Sequence, residues 1–173
     1  DFSMRPRQWL NLISRSKATI SFSPPFGFEL CARRLRPGEA AELDLSAWRV
    51  AGVGAEMIHP EVLQRFAAAL APSGFDPKAF VPCYGMAECS LAISFSPLGE
   101  GITLDRVDSE RLAKDGLALA ADPAAQAGDR VSGFVDCGIP LSEFEVEIRD
   151  ERNQPLPERH TGSIHLRGPS VMA

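Results

Sequence analysis

Apolar residues recur with two different periods along this chain, and the change from one to the other divides it in two. Over residues 6–16, Trp9, Leu10 and Ile13 fall on one side of a helix that opens at Pro6. Residues 18–23 are rich in strand formers and halt at Pro24-Pro25. Helical spacing then returns over 26–35, with Arg33 and Arg34 in the last turn and Pro37-Gly38 to stop it. Residues 48–53 predict a second strand, followed by the small-residue turn Gly54-Ala55-Glu56. Val62, Leu63, Phe66, Ala67 and Leu70 form one apolar stripe on a helix that starts near Pro60 and is closed by Gly74. Residues 79–83 predict the third strand.

From about residue 99 the texture changes. One short helix is expected at 109–114, an alanine-biased loop at 118–127, and after them strand-like pieces separated by Gly, Pro and Asn. Residues 143–149 alternate strictly, which should turn Phe144, Val146 and Ile148 toward a core and the charges toward water. Residues 162–168 alternate likewise, and 153–161 between them read as a turn-rich connection. The expected architecture is therefore α/β: a parallel or mixed sheet flanked by helices over 1–98, continued by a strand-rich segment over 99–173. Alternating strands and helices favour parallel pairing, and ligands then gather at the carboxyl ends of the strands.

With 173 residues and 45% hydrophobic content, the chain can build a real core. Its net charge of −5 is spread over interleaved acids and bases, so no nucleic-acid partner is expected, and the Arg33, Arg34, Arg36 group reads as the cationic end of a helix. Cys31, Cys83, Cys89 and Cys137 sit mostly in apolar surroundings without zinc-site spacing, which suits reduced thiols in a cytoplasmic protein. No apolar run reaches the roughly 20 residues of a spanning helix, so no transmembrane segment is expected, and no signal-peptide pattern opens the chain. His59, His160 and His165 are scattered through a helix start, a turn and a strand and do not suggest a metal site.

Chemistry concentrates at 82–88, Pro82-Cys83-Tyr84-Gly85-Met86-Ala87-Glu88. Tyr84, the only tyrosine, offers a flat face to a base, Gly85 permits close approach of backbone and ligand, and Glu88 can face a metal or phosphate-bound water. Each has a plainer reading: Tyr84 as a core aromatic closing a strand, Glu88 as a carboxylate at a helix start, Glu56 likewise. Cys83 has no His/Asp pair placed beside it and reads as packing. Phe22, Phe26 and Phe28 read as core aromatics.

These motifs together resemble the adenylate-forming ligase superfamily, and within it the fatty acyl-AMP ligases. The resemblance covers essentially all residues. Residues 82–88 match a Tyr-Gly-x-(Thr/Ala)-Glu motif, with Ala87 in the acyl-AMP ligase form, and Gly54-Ala55-Glu56 is similar to the adenine-binding turn of that branch. Residues 22–31 are similar to its acyl-pocket segment, and 162–171 to its Gly-Glu-Ile-x-x-x-Gly-Pro-Ser-Val strand. Pro25, Val53, Met57, Ile139 and Ser163 depart from the pattern.

The resemblance implies ATP and Mg²⁺ as cofactors and a fatty acid as substrate, with an acyl carrier protein or coenzyme A as acceptor. It implies that Gly54, Ala55 and Glu56 pack around the adenine, that Tyr84 stacks on it, and that Glu88 holds the magnesium. Gly85, Met86 and Ala87 would pass beside the α-phosphate and the carboxylate, and Phe26 and Phe28 would approach the acyl chain. The family's phosphate loop with its lysine, its ribose-binding aspartate and its small carboxy-terminal domain are not matched within these residues. The expectation is a central piece of a larger ligase, inactive in isolation and prone to self-association at its cut sheet. The alternatives are an acyl-CoA synthetase proper, or a degenerate ligase-like segment used for binding or scaffolding.

Overall fold

The computed structural model describes residues 2–125 and 130–172. The first half alternates helix and strand: α1 (Arg7–Ser16), β1 (Ile20–Ser23), α2 (Pro25–Arg34), β2 (Val50–Val53), α3 (Pro60–Leu70), β3 (Phe80–Met86) and β4 (Leu91–Phe95). The second half holds β5 (Leu104–Asp108), α4 (Ser109–Asp115), β6 (Val131–Val135), β7 (Ile139–Pro140), β8 (Glu145–Arg149) and β9 (Ser163–Arg167). The last two residues of the alanine-biased stretch at 118–127 lie outside the described residues.

One five-stranded sheet runs in the order β1-β2-β3-β4-β7, parallel from β1 to β3 and antiparallel from β3 through β4 to β7. The sheet is thus mixed. Parallel pairing follows from the two helical crossovers, while β3 and β4 are joined by so short a turn that only antiparallel pairing is open to them. β5 pairs with β6 and β8 with β9, each as a separate antiparallel couple.

All three long helices pack on the face that Ala51, Val53 and Phe80 present. Their apolar stripes explain why. α1 buries Leu10 and Ile13, α2 buries Phe28 and Cys31, and α3 buries Val62, Leu63, Phe66 and Leu70, at the three- and four-residue spacing of one helical face. Proline at the first position of α2 and of α3 costs no hydrogen bond there and presets φ. Arg33 and Arg34 close α2 against its negative end.

At the centre Phe28 meets Phe66 edge-on at 5.0 Å and Phe80 at 5.6 Å, while Trp48 meets Phe75 at 5.3 Å. Such edge-to-face pairs add about 0.5–1.5 kcal/mol each beyond the area they bury. Trp9 caps the cluster, its indole N–H donating to Ser21 Oγ at 2.9 Å.

The second half differs from expectation in one respect. β8 and β9 alternate as predicted, with Val146 opposite Leu166 and Ile148 opposite Ile164, yet Val146 is 37% and Ile164 46% exposed. Alternation selects a face of a strand; burying it requires a second layer, and no described element covers this one.

Candidate functional site

The carboxyl ends of β1, β2 and β3 converge with the start of β4 around an open cleft of about 410 Å³. Its walls are Phe22 and Ser23 from β1 with Pro24 just after it, Gly54 and Ala55 after β2, Cys83, Tyr84 and Gly85 in β3, and Leu91, Ala92 and Phe95 in β4. This is where an open sheet with parallel strands collects a ligand. Phe22 and Phe95 face each other at 6.4 Å, nearly perpendicular.

Two glycines make this convergence possible. A Cβ on Gly54 would lie 2.5 Å from the Cys83 carbonyl oxygen and 2.9 Å from its sulfur, so the turn after β2 can lie against β3 only without a side chain. A Cβ on Gly85 would fall 1.5 Å from the Leu91 carbonyl oxygen. The register slips between Tyr84 and Gly85, and Ser90 and Leu91 take left-handed φ values of 55° and 82° to accommodate it. Ala55 is left-handed too, at φ 69°. A non-glycine residue in that region costs about 1–2 kcal/mol, and two of these residues, Ala55 and Leu91, line the cleft itself.

Of the residues expected to form a site, the structure gathers Gly54, Ala55, Tyr84 and Gly85 on one cleft. β3 runs on through Met86, so Tyr84 is a strand residue and not the first residue of a loop. Glu56 lies outside the lining; its Oε1 accepts the backbone N–H of Phe26 at 2.8 Å, tying the turn after β2 to the first turn of α2, where a negative charge is favoured. Met86 ends the strand, and Ala87 and Glu88 sit in the one-turn 3₁₀ helix Ala87–Cys89 that links β3 to β4.

The expectation for Phe28 is corrected. It is fully buried in the aromatic core, with no exposed surface to offer an acyl chain. Residues two apart on a helix point about 200° from each other, so Phe26 and Phe28 cannot share a pocket. Phe26 is half exposed and packs edge-on to Phe2 at 6.3 Å, away from the cleft lining. The aromatic residues that do line the cleft are Phe22, Tyr84 and Phe95. β4 itself was not foreseen; 91–95 alternates too briefly to stand out, and its pairing partner lies just across a tight turn.

Cys83 lines the cleft, but its thiol donates to the Val53 carbonyl at 3.3 Å and burial pushes its pKa up, so it is no thiolate nucleophile. Burial likewise raises Cys137, with smaller contributions from neighbouring Cys83 and Asp136. All four cysteines are free thiols. Among the described residues no group of three or more His, Cys, Asp and Glu could hold a metal ion. Glu88 is a single exposed oxygen donor. That fits magnesium, which keeps several waters and is bound through one or two carboxylates together with phosphate oxygens. None of the described helices is long and apolar enough to cross a membrane.

A cleft at the carboxyl ends of parallel strands, walled by a Gly-Ala turn on one side and Tyr-Gly on the other, is the arrangement expected of a nucleotide-binding enzyme. The family model for AMP-binding enzymes matches residues 1–173, and the chain belongs to that family. It is 48% identical over 172 residues to a Caulobacter vibrioides protein that carries the provisional name acyl-CoA synthetase, covering 99% of this chain and 30% of that protein. A medium-chain-fatty-acid–[acyl-carrier-protein] ligase from Teredinibacter turnerae is 33% identical over 171 residues, covering 98% of this chain and 26% of that one. Among solved structures, one from work on the fatty acyl-adenylate ligases of E. coli and L. pneumophila superposes with a TM-score of 0.93 at 49% identity, over 99% of this chain and 30% of that one. The chain therefore spans 26–30% of the length of these relatives.

Proposed function

We propose that these residues form the nucleotide- and acyl-facing wall of an ATP-dependent fatty acid ligase, whose remaining catalytic parts lie elsewhere in the full-length protein. Residues 1–98 supply the sheet with the adenine side of the site, and 99–173 continue the same large domain. The observation that carries the reading is the convergence of the Gly54-Ala55 turn on Tyr84-Gly85 across one cleft, held by close approaches that only glycine permits.

In this reading the fatty acid carboxylate attacks the α-phosphorus of ATP. The new bond is carboxylate oxygen to phosphorus, the bond to the bridging oxygen breaks, and pyrophosphate leaves with that electron pair. Tyr84 stacks on the adenine, Gly54 and Ala55 border it, and Glu56 holds the turn by its hydrogen bond to α2. Gly85, Met86 and Ala87 pass beside the reacting phosphate and carboxylate, where the absence of bulk lets them approach. Phe22, Leu91 and Phe95 give the acyl chain an apolar wall. The acyl group then passes to a thiol, that of an acyl carrier protein or of coenzyme A. Four free cysteines suit a cytoplasmic setting.

The test is titration of the full-length protein with a non-hydrolysable acyl-adenylate analogue. Tyr84→Ala should weaken binding by roughly tenfold, the loss of one aromatic stack of about 1–1.5 kcal/mol. Unchanged affinity would remove Tyr84 from the site. Incubation with ATP, fatty acid and either thiol separates the two acceptors, and absence of pyrophosphate release with both would favour a non-catalytic binding role.

A further inference from the structure

The turn that carries Glu88 has little to hold it in place locally. Ala87–Cys89 is a single 3₁₀ turn closed by the Ser90 N–H to the Ala87 carbonyl at 3.2 Å, and the two residues after it, Ser90 and Leu91, are both left-handed. A one-turn helix leaves its last carbonyls without partners and gains nothing from propagation. The Glu88 carboxylate makes no ion pair or hydrogen bond among the described residues, so what the protein fixes is the backbone that carries it.

That backbone is gripped from far along the chain. Ser170 Oγ donates to the Cys89 carbonyl at 2.8 Å across 81 residues, and the Met172 N–H donates to the Glu88 carbonyl at 2.8 Å. Both donors come from one bend, closed by the Val171 N–H to the Gly168 carbonyl at 3.3 Å. Gly168 sits against the Phe144 ring, where a Cβ would lie 2.6 Å from the ring edge, so the bend is seated on the approach to β8. Cys89 is 1% exposed, which leaves its carbonyl dependent on a protein donor.

We propose that Ser170 is a positioning residue for Glu88: the 168–172 bend supplies the carbonyl partners that fix the turn, and through it the direction of the metal-facing carboxylate. The role rests on the reading of Glu88 as the magnesium ligand. It gives a task to the Gly-Pro-Ser-Val stretch, which touches no part of the cleft.

The experiment uses the full-length protein with a non-hydrolysable ATP analogue and Mn²⁺ in place of Mg²⁺, its affinity read by electron paramagnetic resonance, alongside amide exchange over 87–91. Ser170→Ala is expected to weaken Mn²⁺ about tenfold, the usual size for loss of a residue that supports a metal ligand, and to speed exchange at 87–91. Ser170→Thr keeps the hydroxyl and should restore affinity to within about threefold of the parent, while the KM for fatty acid stays within about twofold. If Glu88→Gln weakens Mn²⁺ and Ser170→Ala does not, the positioning role is overturned and the ligase reading stands. If Glu88→Gln leaves Mn²⁺ affinity unchanged, the metal reading fails and the positioning role falls with it. If Ser170→Ala raises the fatty acid KM as much as it weakens Mn²⁺ and Ser170→Thr restores neither, Ser170 is a general structural contact and the proposal is overturned.

Discussion

The two halves of this chain use apolar residues in opposite ways. Among the described residues, every buried hydrophobic residue but Val107 lies before residue 99, most of them on the helix-covered face of the parallel strands. After residue 99 the backbone pairs well, yet Phe134, Val146 and Ile164 remain more than a third exposed. Part of what joins the second half is charge: Arg159 binds Asp105 with two guanidinium nitrogens and donates to the Ala118 carbonyl, and Arg149 reaches Glu147 within one strand. Hydrogen-bonded strands fix register; a covering layer is what converts alternation into stability.

The largest effect should come from the packed half. Phe66→Ala removes a ring in contact with Phe28, Phe75 and Trp48 and should cost about 3–5 kcal/mol, seen as faster amide exchange across β1, β2 and β3 in the full-length protein. Val146→Ala in β8 should cost less than about 1 kcal/mol by the same measurement. Equal costs would mean that the strand-rich half is covered as fully as the first.

Gly85→Ala tests the cleft between these extremes. Its new methyl group meets a backbone carbonyl and not a flexible side chain, so the bulge must shift at about 1–3 kcal/mol, read as a roughly five- to 150-fold loss of affinity for an acyl-adenylate analogue. Full affinity would show that the bulge is not what presents Tyr84.

Titration probes the core half differently. Burial pushes the Cys31 thiol from 9.0 up to about 12. The neutral thiol is therefore favoured in the folded state: its contribution is whole below about pH 9 and is lost as pH rises toward 12. Unfolding should become easier over that window in the parent and less so in Cys31→Ala, and Cys31 should resist alkylation at pH 8. Prompt labelling of Cys31 in folded protein would contradict its burial.

The smallest shift is expected from Ala55→Gly, which releases the left-handed strain of the turn after β2 and should stabilise by less than about 1 kcal/mol, visible as a higher unfolding temperature. A loss of stability would place the strain elsewhere.

Helix positions are legible because Pro6 and Pro60 mark two of their starts and the stripes through Leu10 and Ile13 and through Val62, Leu63, Phe66 and Leu70 mark their faces. The alternation at 144–148 and 164–166 was equally plain. The cleft is legible in part: Gly54, Ala55, Tyr84 and Gly85 stand out by residue type and Phe22 falls in the segment that resembles an acyl pocket, whereas Leu91 and Phe95 do not stand out, since nothing in a strand's own pattern says which of its faces meets a ligand. Phe28 enters the expected acyl pocket only through the resemblance of residues 22–31 to an acyl-pocket segment, and helical rotation turns it from Phe26 into the core.

By itself the sequence determined the long helices and most of the strands, their amphipathic faces, the glycines that allow close approach, and the family to which these motifs belong. Local spacing and residue size suffice for all of these. Only the tertiary structure decided that β3 bulges at Gly85, that Glu56 serves the α2 terminus, and that a serine 81 residues away grips the Glu88 turn. Those outcomes depend on which strands become neighbours, and pairing between distant segments is set by the packing of the whole sheet, not by any one stretch of it.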